Sequence, residues 1–535
     1  TYAYYCATRA LMENEGFKFK YYFDSDAEEK EYDTSYDEMY SYCQKKLYSE
    51  GYKIYTSIDL TKQQQLQDSI DLTLLDFTDT TDDGTFKLQS AATCIDNATG
   101  YVVAIVGGRS QDATNHTLNR AFQSHRQPGS SIKPLIVYTP SFERGKTPDT
   151  IVNDHKFDGG PSNAGDSYYG DVTIRFAVEK SLNTVAWQLY DELTPKVGLQ
   201  YLKDMNFTNI VKDDYVTATA LGGFTTGVSP LEMASAYATL ENDGMYRNPT
   251  CVTSIVDSDN NIIYTSSQKD TVIYSENAAR TMTDVMTGVM TQGTGRKAKL
   301  DNGMPSAGKT GTTNDKKDGW FCGFTRYYTT CVWVGCDMPE TIKDLTGGSY
   351  PAEIWKTYMD QIHSDLTPLN FLPYAHMSDE SQDNQESQEV QDTPADDQTQ
   401  NNPTDQTVTA PDEGTTTPDQ TTTDPNKTDA AGGNHEKTPT TPSENPSGGD
   451  GDSGSAGGTG GTGDSGSAGG TGGAGDNGST GGAGGAGGSG STGGAGGAGG
   501  SGSTGGTGGA GGSGSTGNTG GTTGGEGGAT GGAAQ

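Results

Sequence analysis

The sequence predicts an α+β fold: an antiparallel sheet flanked by helices, with an all-helical subdomain between its first and last strands and a long disordered C-terminal tail. Three observations predict it. Strand-like text stands near the start and at the end of residues 51–366, and helical text fills the middle. After Tyr374 the remaining 161 residues hold no Leu, Ile, Phe, Tyr, Trp or Cys, so that stretch has nothing with which to bury a core.

Composition divides the chain accordingly. Residues 1–50 read as a Tyr-rich docking segment, 51–366 as the folded domain, 367–451 as a Thr/Pro/Asp-rich linker and 452–535 as a Gly/Ser/Thr repeat tail. From Asp452 to Thr523 the tail repeats a 12-residue unit six times, and the absence of a strict Gly-X-Y period with proline excludes a collagen reading. From Ala375 onward 21 acidic residues face 2 basic ones, net −19, which leaves −16 of the formal −35 on the first 374 residues. Both halves are acidic and neither holds a basic stripe, so nucleic-acid binding is excluded as a function class. The seven cysteines show no CxxC spacing and no neighbouring histidines, so no metal site and no cofactor is expected. The sequence has no apolar run long enough to span a membrane and no secretory signal; because it opens on Thr1, it reads as a fragment or processed product.

In chain order, two helical patterns end at Gly16 and Gly51, the second beginning near Tyr32. A strand at 51–60 leads into an amphipathic helix at 61–77. Residues 90–108 form two apolar strands about a turn at Asp96 to Gly100. RQPGSSIKP (126–134) starts a helix, with Ser130 as N-cap and Pro134 in the first turn, that stops at Gly145. A Gly- and Asp-rich loop (155–171), helices through Gly244, a hairpin at 251–265 and a capped helix from Ser275 follow. PSAGKTGTT, DGWFCGFT and YYTTCVWVGCD give three consecutive strands, closed by the helix beginning at Pro351. Cys322 and Cys331 lie symmetrically about the last turn; a cross-strand disulfide and two packed thiols both fit, and packed thiols are the expectation.

The candidate reaction centre is Ser130 with Lys133. Residues i and i+3 of a helical turn share a face, which brings the Lys133 ammonium within reach of the Ser130 hydroxyl at the positive end of the helix dipole. A lysine serves as base only where burial or neighbouring cations lower its pKa. SxxK alone is weak, and the chain holds a second copy at Ser266 to Lys269. Partners decide between them. Ser181 and Asn183 sit at i and i+2 in the middle of helical text, where a non-helical turn would aim hydroxyl and amide into one cleft. Lys309, Thr310, Gly311 and Thr312 form the one KTG of the chain: Lys309 adds a positive charge that depresses Lys133, the two hydroxyls share a strand face, and Gly311 admits close approach of a neighbour.

In this order and spacing, and with flanking text such as YYGDVTIRFAVEKSLNTVA, ALGGFTTGVSPLEMASAYATLENDG and TQGTGRKAKL, residues 51–365 resemble the transpeptidase domain of class A penicillin-binding proteins. Residues 1–50 resemble the segment that joins this domain to a glycosyltransferase, whose own text is not in the sequence. The resemblance implies a peptidoglycan D,D-transpeptidase on the outer face of the bacterial membrane, in the cell wall, with stem peptides ending in D-Ala-D-Ala as donors, an amine on a neighbouring stem as acceptor, β-lactams as acylating ligands and the wall-synthesis machinery as possible company. Ser130 would be the nucleophile, Lys133 its base, and Ser181 the relay to the leaving group. Asn183 and Lys309 would support them, Thr310, Gly311 and Thr312 would bind the substrate carboxylate, and the backbone N–H groups of Ser130 and Thr312 would form the oxyanion hole. A D,D-carboxypeptidase uses the same residues with water as acceptor. A class A β-lactamase would need its SDN at Ser258 to Asn260, in hairpin text too close to Lys309, and a non-catalytic β-lactam sensor or wall-binding module would not need Lys133, Asn183 and Lys309 intact.

Overall fold

The computed structural model describes residues 1–110 and 118–375, all within one compact unit; the linker and repeat tail expected from residue 376 onward lie outside the described residues. The helices are α1 (Tyr2–Asn14), α2 (Asp26–Ser49), α3 (Leu60–Thr73), α4 (Arg120–Gln123), α5 (Thr139–Glu143), α6 (Ile174–Lys180), α7 (Asn183–Leu193), α8 (Pro195–Asp204), α9 (Pro230–Glu241), α10 (Glu276–Thr291) and α11 (Tyr350–Ile362). The strands are β1 (Lys53–Thr56), β2 (Leu88–Asp96), β3 (Val102–Val106), β4 (Ile151–Asp154), β5 (Gly170–Thr173), β6 (Met245–Tyr246), β7 (Val252–Val256), β8 (Ile262–Thr265), β9 (Thr271–Val272), β10 (Ala307–Thr312), β11 (Asp318–Phe324) and β12 (Tyr328–Cys336).

The central sheet has the order β10-β11-β12-β2-β3, antiparallel throughout, so strands from both ends of the domain meet in it. Its strands are buried nearly without alternation because both faces are covered. On one face α3 and α11 pack Leu66, Ile70, Trp355, Tyr358 and Met359 against Val332 and Val334. On the other, α9 and α10 bury Met233, Tyr237, Met282 and Val289 in the larger core, which continues into α6, α7 and α8. Ser229 caps α9 with Glu232 returning to its backbone N–H, and Ser275 caps α10; these are the helix starts that the sequence marks. Cys322 and Cys331 stand opposite each other across β11 and β12 as free, buried thiols.

Four differences from the sequence expectations have physical causes. The hairpin β7-β8 takes β1 as a third strand, an antiparallel pairing between residues about 200 apart that no local pattern encodes. Helix α2 begins at Asp26, upstream of Tyr32, because Ser25 caps it and Asp26, Glu28 and Glu29 occupy its first turn. Residues 367–375, assigned by composition to the linker, lie across the domain: Phe371 meets Phe324 edge to face, Tyr327 donates to the Thr367 carbonyl at 2.9 Å, and the Ala375 N–H donates to Asn277 at 2.7 Å. The fourth concerns Ser130. It is not an N-cap but the second residue of a 3-10 turn, Gly129–Ile132, followed by a π turn, Pro134–Tyr138, and then α5. Pro134 has no N–H to offer the Ser130 carbonyl, so the Lys133 N–H takes it at the tighter spacing.

Candidate active site

The 3-10 turn eclipses side chains three apart, which keeps Ser130 and Lys133 on one face. Loop contacts hold this turn from several sides. Arg126 pairs with Asp318 at 2.8 Å and donates to the Cys336 carbonyl at 2.8 Å, Trp320 donates its indole N–H to the Gln127 carbonyl at 2.9 Å, and Tyr237 donates to the Ser131 carbonyl at 2.6 Å. Gly129 has a φ of +53°, and a Cβ there would stand 2.7 Å from the Thr312 carbonyl oxygen. Ser131 is buried and donates to the Pro128 carbonyl at 2.7 Å, which commits its hydroxyl to structure.

Strand β10 runs against this turn. A Cβ on Gly311 would lie 2.2 Å from the Pro128 carbonyl oxygen, so a residue without a side chain is what allows KTG and SxxK to touch. Lys309 is fully buried and donates to the Ser181 hydroxyl at 2.8 Å and to the Thr310 carbonyl at 3.0 Å. The Thr310 hydroxyl bonds that of Thr294 at 2.7 Å, and the Thr312 hydroxyl accepts from the Gly347 N–H at 2.9 Å, which leaves its own proton to give.

Between α6 and α7 the chain breaks helical geometry at Ser181, with φ 58° and ψ 39°. A left-handed serine costs on the order of 1–3 kcal/mol and persists where its surroundings hold it. Here the break turns the Ser181 and Leu182 carbonyls, together with the Asn183 amide oxygen, onto Lys133, whose ammonium donates to them at 3.0, 3.1 and 2.8 Å. The 3-10 turn keeps Lys133 on the face of Ser130, yet its donors point across the cleft to the α6–α7 break. Among the described residues the Ser130 hydroxyl has no hydrogen-bond partner.

Electrostatics follow from this packing. Burial, and then the nearby Lys309 charge, hold the Lys133 ammonium well below the ordinary lysine range, against the three oxygens that favour its charged form. Burial brings Lys309 down to about 7. Two buried lysines of lowered pKa thus stand at the α6–α7 break, Lys309 on the Ser181 hydroxyl and Lys133 on the Ser181 carbonyl and the Asn183 amide, and lysines of lowered pKa are suited to moving protons.

The structure thus brings together Ser130, Lys133, Ser181, Asn183, Lys309, Thr310, Gly311 and Thr312, from three separated stretches. The second SxxK stays apart: Ser266 and Lys269 lie in coil after β8, beside α1, and line a cavity of about 230 Å³ there. Sequence reasoning missed Thr294, Gly347, Asp154 and Asn163. Thr294 stands in TQGTGRKAKL, part of the flanking text that carries the family resemblance, while nothing local marks the other three.

Residues 90–360 match the penicillin binding protein transpeptidase domain, half of the chain. The chain belongs to that family. The transpeptidase domain is 36% identical over 314 residues to penicillin-binding protein 4 of Bacillus subtilis, covering 58% of this chain and 48% of that protein. It is 35% identical over 337 residues to penicillin-binding protein 1A of Clostridium acetobutylicum, covering 59% and 41%. The chain thus spans about half the length of these curated relatives or less. In fold the chain is similar to the PonA1 protein of Mycobacterium tuberculosis, solved in complex with penicillin V, with a TM-score of 0.57 and 24% identity over 70% of this chain and 95% of that one. No helix among the described residues is long and apolar enough to cross a membrane.

Proposed function

We propose that the domain is a D,D-transpeptidase of peptidoglycan synthesis that works through an ester on Ser130. The observation that carries this reading is the pair of buried lysines: Lys133 on the Asn183 amide and Lys309 on the Ser181 hydroxyl, both beside the 3-10 turn of Ser130. Ser130 Oγ attacks the penultimate D-alanine carbonyl of a stem peptide while Lys133, whose pKa burial holds well below the ordinary lysine range, takes its proton. The backbone N–H groups of Ser130 and Thr312 hold the developing oxyanion, and losing one such donor costs about 100-fold or more. Ser181 hands its proton to the departing D-alanine nitrogen and is reprotonated from the lysine pair. Thr310 and Thr312 bind the terminal carboxylate of the donor. An amine from a neighbouring stem then attacks the ester, and the same groups work in reverse.

β-Lactams mimic the D-Ala-D-Ala end and acylate Ser130. Among the described residues no Asp or Glu is hydrogen-bonded to Ser130, Lys133, Ser181 or Lys309, so nothing there activates a water to release the acyl group quickly. This favours slow release of a β-lactam over a β-lactamase, whereas a D,D-carboxypeptidase uses the same residues, and only the flanking sequence favours an amine as acceptor.

The test is labelling with a fluorescent penicillin. Label is expected on the unmodified protein and on Ser266→Ala, and none on Ser130→Ala; label that survives Ser130→Ala overturns the assignment. A second assay separates acceptors: a D-Ala-D-Ala stem peptide incubated with and without an amine-bearing stem should yield a cross-linked dimer. Release of D-alanine with hydrolysed donor alone would make the domain a carboxypeptidase.

A further inference from the structure

The network behind Asn183 reaches residues that no motif contains. Asn183 presents its amide oxygen to Lys133 at 2.8 Å because its amide nitrogen is engaged elsewhere, donating to the Ser162 carbonyl at 2.8 Å. Ser162 belongs to the loop between β4 and β5, and the next residue, Asn163, is 5% exposed. The Asn163 amide oxygen accepts the backbone N–H of Asn183 at 2.7 Å and that of Thr184 at 3.3 Å, so it caps α7 from another segment of the chain. Leu182, in the N-cap position of α7, supplies no side-chain cap of its own.

Asn163 is held in turn. Its amide nitrogen donates to the Asp154 carboxylate at 2.7 Å and to the Ser167 carbonyl at 3.0 Å. Asp154, 1% exposed at the end of β4, also accepts the Thr184 hydroxyl and, at 2.9 Å, the Tyr169 N–H. One carboxylate therefore gathers the loop's two limbs and the first turn of α7 around a single point. Each bond has a fixed sense: a carboxylate accepts only, so Asn163 must turn its nitrogen to Asp154 and its oxygen to α7.

We propose that Asp154 and Asn163 are positioning residues for acyl transfer, fixing the α6–α7 break and thereby the end of the Asn183 amide that meets Lys133. They touch neither substrate nor the reacting atoms. If the Asn183 amide turned over, its nitrogen would face the ammonium, donor against donor. The loop is thus part of the base's support, and its glycines Gly159, Gly165 and Gly170 take positive φ.

The inference rests on the acyl-transfer reading, and the test separates the two. Acylation of the whole chain by a fluorescent penicillin is followed by stopped flow and resolved into the dissociation constant of the initial complex and the acylation rate constant. Asn163→Ala is expected to lower the rate constant about 10- to 100-fold with the dissociation constant nearly unchanged. Asp154→Asn, which faces the Tyr169 N–H with an amide, should fall between Asn163→Ala and the unmodified protein. Because either variant risks misfolding, Thr184→Val keeps the buried volume while removing one bond to Asp154, and Thr184→Ser restores that bond: the first should slow acylation and the second recover it. Equal rate constants in the folded variants, or a raised dissociation constant with the rate constant intact, overturn the inference. Failure of the unmodified protein to acylate would overturn the functional reading itself, and this inference with it.

Discussion

Ser130–Lys133 and Ser266–Lys269 have the same residues at the same spacing and opposite surroundings. In the first, the lysine is fully buried under the α6–α7 break and the serine lies on a 3-10 turn gripped by β10, β11 and α9. In the second, Lys269 is exposed and both residues lie in coil beside α1. Spacing alone sets which side chains can meet. Reactivity depends on what removes water from the lysine, and that is a property of the whole fold.

The sharpest way to break the comparison is to remove each lysine. Lys133→Ala should reduce penicillin acylation about 100- to 10,000-fold, the usual worth of a positioned base, whereas Lys269→Ala should leave it within about twofold, measured as label per minute at fixed penicillin. Next in size is the contact that joins KTG to SxxK. Gly311→Ala puts a Cβ 2.2 Å from the Pro128 carbonyl oxygen, so β10 must move off the turn; acylation should fall about 100-fold in protein whose circular dichroism is unchanged.

A pH series sharpens the role of burial. The Lys309 pKa drops from 10.5 to about 7 on folding, so between those values the unfolded chain holds the extra proton and stability rises with pH. Below about 7 both states are protonated and the contribution is flat. Lys309→Met should remove this part of the slope in denaturant unfolding measured from pH 6 to pH 9, and the acylation rate of the unmodified protein should climb as pH rises toward that of the neutral lysine pair. The smallest expected effect tests the chain's end. Truncation after Tyr374 should leave the thermal midpoint within about 1 °C, whereas truncation after Leu366, which deletes Phe371 and the Thr367 carbonyl contact, should lower it by about 2–4 °C while labelling persists.

Much of this architecture was legible because it is written locally. The apolar runs of β2, β3, β11 and β12, the capping box of Ser229 and Glu232, the Ser275 cap and the turn symmetry of Cys322 and Cys331 each depend on a few neighbouring residues. The motif residues were legible for another reason: three short patterns in a fixed order, with specific flanking text, are rare together. What stayed hidden depends on distant partners. The pairing of β1 with β7, the packing of 367–375, the bond of Thr294 to Thr310 and the clasp of Asp154 and Asn163 around α7 join residues whose own neighbourhoods look ordinary. The N-cap assigned to Ser130 failed because a proline four residues on withholds the N–H that α-helical spacing requires.

By itself the sequence determined that two serines, two lysines, an asparagine and a pair of threonines stand in an order suited to acyl transfer, and that the last 161 residues hold no Leu, Ile, Phe, Tyr, Trp or Cys. Only the tertiary structure decided which SxxK is buried and where the Lys133 ammonium points: across the cleft to Ser181, Leu182 and Asn183 rather than along its own turn to Ser130. The physical reason is that desolvation and hydrogen-bond direction belong to the surroundings of a side chain, and those surroundings come from three stretches that meet only when the sheet closes.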